Sequence, residues 1–337
     1  MKGETDLNYK NEQIISERET LLKINNLNVE YRTIEGVVHA VNGLNLMIQE
    51  GESLGLVGET GAGKTTTALS IMQLIANPPG VTTAGEVWYK GRDLIKLSDR
   101  ELQKLRGNQV SMIFQNPMAS LNPVHTVGDQ IIEVLRRHQS LSKNQARKKA
   151  SEMLNKVGIL ESRMNEFPYE FSGGMQQRVS IAIALACQPK LLIADEPTTA
   201  LDVTIQAQVL ELMKELKKDF DSSLLLITHD FGLVAEVCDK VAVMYAGIAV
   251  ESGSLEDIFN RSKHPYTEGL FNSIPKIDES VERLIPISGL SPDPKSLPPG
   301  CPFHPRCPYK MDICEKEMPG EYIEGEQTVL CWRCLNG

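Results

Sequence analysis

The chain has 337 residues, 41% of them hydrophobic and 23% charged, and a formal net charge of −9. That length allows a large core with a smaller second unit, and the acidic balance excludes a general nucleic-acid binder, which needs surplus Lys and Arg to neutralise phosphates. The longest apolar runs, such as SIAIALA and SLLLIT, fall far short of the ~20 residues that span a bilayer. The N-terminal MKGETDLNYKNEQ lacks the basic-then-apolar order of a secretory signal. A soluble, cytoplasmic protein is therefore expected.

In chain order, residues 1–20 are polar and are expected to form a frayed leader. LKINNLNVEY, GVVHAVNGLNLMI and ESLGLVG predict strands. KTTTALSIMQLIA places Ala68, Ile71, Met72 and Ile75 at helical spacing until Pro78, Pro79 and Gly80 stop it. EVWYKGRDL and QVSMIFQ read as further strands, and roughly 126–186 is patterned as helix. KLLIAD and SLLLITH return to strand, with the helical VTIQAQVLELMKELKKD between them. Such alternation predicts a parallel sheet flanked by helices. KVAVMYAGIAVESG reads as a hairpin, and after His264 the composition turns rich in Pro and Cys.

Residues 58–65, GETGAGKT, match G-x-x-x-x-G-K-[ST] between a strand and a helix. Gly58, Gly61 and Gly63 let the backbone amides of this loop, with Glu59, Thr60 and Ala62, turn towards β- and γ-phosphates. The helix that starts near Lys64 adds its dipole. Lys64 is expected to reach the phosphate oxygens, and Thr65 to offer a hydroxyl to Mg²⁺; Thr66 follows on the same turn. Asp195 and Glu196 close the strand LLIAD. Asp195 is placed to serve the Mg²⁺, and Glu196 to polarise an attacking water.

Between these motifs lies FSGGMQQRVSIAIALACQP, a Ser-Gly-Gly helix start that can meet an anion or simply cap the helix. The order of elements resembles the ATP-binding cassette ATPases over roughly residues 21–255. Ser172, Gly173, Gly174, Met175 and Gln176 stand at that family's LSGGQ signature, with Phe171 for Leu and Met175 for Gln. The resemblance implies that Tyr31 stacks on adenine, and that Gln115 senses Mg²⁺ and meets the membrane partner. It further implies that Ala200-Leu201-Asp202 crosses a dimer interface and that His229 contacts the γ-phosphate. The implied fold is an α/β P-loop NTPase core with an antiparallel β subdomain and a helical subdomain (about 116–186). The implied enzyme is a Mg-ATP hydrolase working as a head-to-tail pair.

One phosphate loop, no membrane span and only about a hundred residues between Lys64 and Ser172 point to a stand-alone importer subunit. IFQNPMASLNPVHTVGDQI, KHPYTEGLFNSIP and PPGCPFHPRC resemble the oligopeptide/dipeptide importer ATPases and their C-terminal extension. That branch implies a cassette domain over 21–258 and a Cys/Pro-rich extension over 259–337. The implied partners are a second, related ATPase subunit, two transmembrane permease subunits and an extracellular or periplasmic substrate-binding protein, with no nucleic acid. The implied location is the cytoplasmic face of the membrane. Nickel, metallophore and glutathione importers share the extension and stay open, as does a regulatory cassette that does not hydrolyse ATP.

Five of the seven cysteines lie after residue 300. Cys301, Cys307, Cys314 and Cys331 are separated by five, six and sixteen residues, unlike the short paired knuckles of a zinc ribbon. The resemblance implies a [4Fe–4S] cluster at these four positions. Zinc, drawing on the Cys331–Cys334 pair or on His304, and plain thiols both remain open. Cys187 and Cys238 sit in apolar surroundings and read as small hydrophobes.

Overall fold

The computed structural model describes residues 19–199, 201–273 and 286–335. All but the end of the expected leader, and Ala200 of the expected interface loop, lie outside the described residues. Strands β1 (Thr20–Thr33) and β2 (Gly36–Gln49) form a long antiparallel pair, with Thr33 opposite Gly36 at the turn. Leu22, Ile24, Leu27 and Val29 point inwards from β1, and Val41, Leu44, Leu46 and Ile48 from β2. The apolar alternation read from the sequence thus lines one face.

Strand β3 (Ser53–Val57) is buried at all five positions. The helix Lys64–Ile71 follows it and ends earlier than its apolar spacing predicts. Gln73 turns left-handed, with φ of 50°. The Leu74 amide then donates to the Leu69 carbonyl at 2.8 Å, and the Gln73 amide to Ser70 at 3.0 Å. This is a Schellman stop, built here without glycine. The Arg106 guanidinium reinforces it, with Nε donating to the Met72 carbonyl at 2.7 Å.

Strand β4 (Gly80–Tyr89) pairs with the other edge of β1, and β5 (Arg92–Asp93) completes a sheet of order β2-β1-β4-β5. Strand β6 (Val110–Ile113) leads into the helical region. Its main helices are Val127–His138, Lys143–Lys156 and Gly173–Leu185, capped by Thr126, Ser142 and Ser172. Each cap's side-chain oxygen accepts a backbone amide of the first turn. Ile131, Leu135, Ala146, Ala150, Leu154 and Val179 form their shared interior.

Strands β7 (Leu191–Asp195), β8 (Ser223–Thr228) and β9 (Lys240–Tyr245) run parallel with β3 and β6. Strand β10 (Ile248–Ser254) returns antiparallel to β9. The hairpin β11 (Tyr322–Glu324) and β12 (Gln327–Val329) adds to β10. The second sheet is therefore ordered β11-β12-β10-β9-β3-β8-β7-β6. Its central strands carry apolar runs, as expected of parallel strands covered on both faces. Among the described residues, no helix is long and apolar enough to cross a membrane.

The C-terminal segment packs on the same core. Glu251 of β10 is almost wholly buried and accepts the amides of Lys263 at 2.7 Å and His264 at 3.2 Å. Gln327 Nε2 of β12 donates to the same carboxylate at 2.8 Å. Tyr245, Tyr266 and Phe303 meet as an aromatic cluster, with ring centroids 4.5 to 5.4 Å apart. Burial pushes the thiols of Cys187 and Cys238 up to about 11 and about 12, respectively, so both stay protonated and act as small apolar side chains.

Candidate active site

The parallel order brings the C-terminal ends of β3, β8 and β7 side by side, the edge where open α/β sheets gather their ligand groups. The phosphate loop leaves β3, Asp195 ends β7 with Glu196 directly after it, and His229 follows β8. Gly63 caps the helix with φ of 100°, and a Cβ there would lie 2.3 Å from the Ala40 carbonyl oxygen. Only glycine lets the loop close this tightly against β2.

Lys64 curls back over the loop, its Nζ donating to the carbonyls of Gly58 at 2.7 Å and Glu59 at 3.0 Å. Burial lowers its pKa, against the opposing pull of Glu196, Asp195 and Glu59. Thr65 Oγ1 donates to Asp195 Oδ1 at 3.2 Å. Burial raises the Asp195 carboxyl, with Thr65 opposing it and Glu196 adding to it. A hydroxyl and a carboxylate so placed form an oxygen pair suited to a small hard cation.

Glu196 has a left-handed backbone, φ 45°, an unusual state for a residue with a Cβ. Its Oε2 accepts from Gln115 Nε2 at 2.7 Å and from Thr199 Oγ1 at 3.0 Å. Its Oε1 lies 3.3 Å from His229 Nδ1. Burial acts to raise its pKa, but the hydrogen bonds from His229 and Thr199 and the charge of Lys64 prevail and lower it. The carboxylate is thus held ionised and oriented from three sides. Tyr31 reaches the neighbourhood through its hydroxyl, 3.4 Å from Thr66 Oγ1.

Ser172 to Gly174 and Asp202 stand apart. Ser172 Oγ accepts its own Met175 amide at 3.4 Å, and Asp202 Oδ1 accepts the Ile205 amide at 3.0 Å. Neither forms a hydrogen bond to the phosphate loop of this chain among the described residues. Gly174 is needed for packing, because a Cβ would meet Ile205 Cγ2 at 2.6 Å. Arg163 braces the region, its guanidinium 4.2 Å from the Phe171 ring centre and 3.2 Å from Met175 Sδ.

Three groups of this site were not expected from the sequence: Thr199, Tyr266 and Arg306. Thr199 had a signal, a hydroxyl three residues after the carboxylate. Tyr266 is fully buried, and its hydroxyl accepts the Glu59 amide at 3.0 Å. Tyr266→Phe leaves that amide without its partner and is expected to cost about 1–2 kcal/mol of stability. Urea unfolding of the full chain measures it, and an unchanged midpoint would mean water replaces the hydroxyl without penalty.

Cys301, Cys307, Cys314 and Cys331 line one small cavity with His264 and His304. All the cysteines are free thiols. Burial pushes the Cys301 thiol up to about 11, and the nearby Cys314, Cys331 and Cys307 push the same way. Burial likewise raises Cys307 and Cys331. His304 turns Nδ1 to the Cys301 carbonyl at 2.9 Å. Cys334 lies outside the lining. Among the described residues, no three His, Cys, Asp or Glu side chains stand in a ready-made metal-binding geometry. The structure places the four thiols expected to hold a cluster around one space, without the arrangement of a formed centre.

Residues 41–199 match the ABC transporter family, and residues 250–314 match the oligopeptide/dipeptide transporter C-terminal region. The chain is 50% identical to the dipeptide transport ATP-binding protein DppD of Bacillus subtilis, across 93% of this chain and 95% of that one. It is 48% identical to the oligopeptide transport ATP-binding protein OppD of Salmonella typhimurium, across 93% of each. Among solved structures, it resembles the ATP-binding cassette MJ0796, a post-hydrolysis dimer bound to ADP and Pi. That match has a TM-score of 0.63 at 30% identity, over 70% of this chain and 99% of the other. The chain belongs to the ABC transporter family, in its branch of oligopeptide and dipeptide transport ATP-binding proteins.

Proposed function

We propose that this chain is the ATP-hydrolysing subunit that powers import of dipeptides and oligopeptides through a membrane transporter. The observation that carries hydrolysis is the ionised Glu196 carboxylate, fixed by Gln115, Thr199 and His229 beside Lys64 and Asp195. In this reading the amides of residues 58–65 and the Lys64 ammonium hold the β- and γ-phosphates. Thr65 and Asp195, with Gln115, would hold Mg²⁺, which supplies positive charge to those phosphates. Glu196 accepts the proton of the attacking water, His229 orients Glu196 and meets the γ-phosphate, and Tyr31 stacks on adenine.

Ser172, Gly173, Gly174 and Asp202 serve the nucleotide of a second, related ATPase subunit, which accounts for their lack of contact with their own phosphate loop. The γ-phosphate then gives the closed pair contacts that the open pair lacks. Two permease subunits at the cytoplasmic face, met near Gln115, and an external binding protein complete the complex. The relatives that match over 93% of the chain are dipeptide and oligopeptide transport ATP-binding proteins, which favours peptides over nickel, metallophores or glutathione. Reconstituted with its permease partners in vesicles, the chain should drive ATP-dependent uptake of a labelled dipeptide. Uptake of a nickel complex alone would move the assignment to the other importers.

The four thiols around this cavity match the donor set of a [4Fe–4S] cluster, which would have to draw them into a centre on binding, and such a centre would cross-link a segment with few large apolar side chains of its own. Anaerobic purification should yield about four irons and four sulfides per chain, as that cluster type requires. One zinc and no iron would make the site a structural knuckle, and neither metal would leave the thiols bare.

A further inference from the structure

Arg306 ends the short helical turn His304–Arg306, directly before Cys307. Its side chain is only 6% exposed. Nη1 and Nη2 donate to Glu59 Oε2 and Oε1 at 2.8 and 3.0 Å, a two-pronged pair that fixes both partners. Nε donates to the Ser288 carbonyl at 3.1 Å, and Nη1 also reaches the Tyr245 hydroxyl at 3.3 Å. Ser291 Oγ adds a hydrogen bond to Glu59 Oε2 at 2.6 Å.

Glu59 is the second residue of the phosphate loop. Its carboxylate is gripped by Arg306 and Ser291, its amide by Tyr266, and its carbonyl holds Lys64 Nζ. A bare carboxylate there would repel the phosphates that the loop is built to receive. Burial works against its ionisation, yet Arg306 and Ser291 hold the Glu59 pKa low. The charge therefore persists and has to be cancelled in place.

We propose that Arg306 is a positioning residue for ATP binding, which neutralises Glu59 and fixes the first turn of the phosphate loop. The C-terminal segment thereby completes the nucleotide site of its own chain, from 247 residues away. Arg306 acts through Glu59 and does not itself touch the nucleotide. This inference rests on the reading that residues 58–65 hold the phosphates.

The test uses the full-length chain, a fluorescent ATP analogue and steady-state ATPase kinetics. Arg306→Met is expected to weaken analogue binding and raise the KM for ATP by about tenfold, with kcat within about twofold. Arg306→Lys, which keeps the charge but loses the fork, should recover most of that loss. The double variant Glu59→Gln/Arg306→Met should return to within about threefold of the native affinity, because the unpaired carboxylate is gone. Thermal unfolding of every variant separates this from loss of fold; if Arg306→Met does not fold, Arg306→Lys and the double variant carry the comparison. Native affinity in a folded Arg306→Met chain overturns the proposal, as does a double variant as weak as the single one. Lys64→Ala is the control: unaltered analogue binding there brings down the phosphate-site reading and this inference with it. Loss of binding there, with no Arg306 effect, removes the inference alone.

Discussion

Glu196→Gln should lower ATP turnover by at least ~100-fold while leaving ATP affinity close to native. Glutamine keeps the size of the side chain, and its one remaining oxygen can still accept from Gln115 or Thr199 at their 2.7 and 3.0 Å positions. It cannot take a proton from water. His229 Nδ1, 3.3 Å away, also loses its carboxylate partner. Rapid mixing with ATP and a phosphate sensor measures the step directly, and size-exclusion chromatography with ATP shows whether the stalled chains accumulate as closed pairs. Turnover within about tenfold of native would place the base elsewhere or favour a cassette that binds ATP without useful hydrolysis.

The second large effect concerns the backbone. Gly63→Ala puts a Cβ 2.3 Å from the Ala40 carbonyl at a φ of 100°. The obstructing atom belongs to the β2 backbone, where Ala40 is the bulged residue between the His39 and Val41 positions paired with β1, and main chain held on both sides yields less readily than the tip of a side chain. A loss of about 3 kcal/mol or more in unfolding free energy is expected, together with failure of ATP binding. Gly61→Ala supplies the contrast. Its φ is 83°, but no heavy atom lies within 4 Å of the added Cβ, so only backbone strain remains, about 1–2 kcal/mol. Equal losses in urea titrations of the two variants would show that the contact with Ala40 is not what matters.

These residues were legible in the sequence to very different degrees. The phosphate loop, the carboxylate pair and the post-strand histidine are each contiguous, because backbone amides and neighbouring side chains do their chemistry within one turn of chain. The parallel sheet flanked by helices followed from strand–helix alternation and from the apolar runs of β3, β7 and β8, whereas the order of its strands did not. The early end of the helix at Ile71 was not readable. Its apolar spacing continued to Ile75, and the stop depends on a left-handed Gln73 with Arg106 approaching from a different element. Arg306 and Glu59 were invisible as a pair, since either alone is an ordinary charged residue in a polar stretch. The cysteine spacing raised the expectation of a metal centre, but the structure shows only four thiols lining one cavity, because the side-chain arrangement there is set by loops whose course no periodicity records.

The position of β3 has a consequence for how the chain is made. Its two neighbours in the sheet are β8 and β9, the nearer of which begins at Ser223, 170 residues after Ser53 opens β3. At ordinary elongation rates, on the order of ten seconds pass between their appearances. Throughout that interval the apolar strand SLGLV has no sheet partner, and the loop behind it has no frame. Nascent chains stalled before Ser223 should therefore cross-link to a chaperone through this strand and fail to retain ATP. Chains released after β9 has emerged should lose the cross-link in one step, as both neighbours close on the strand together.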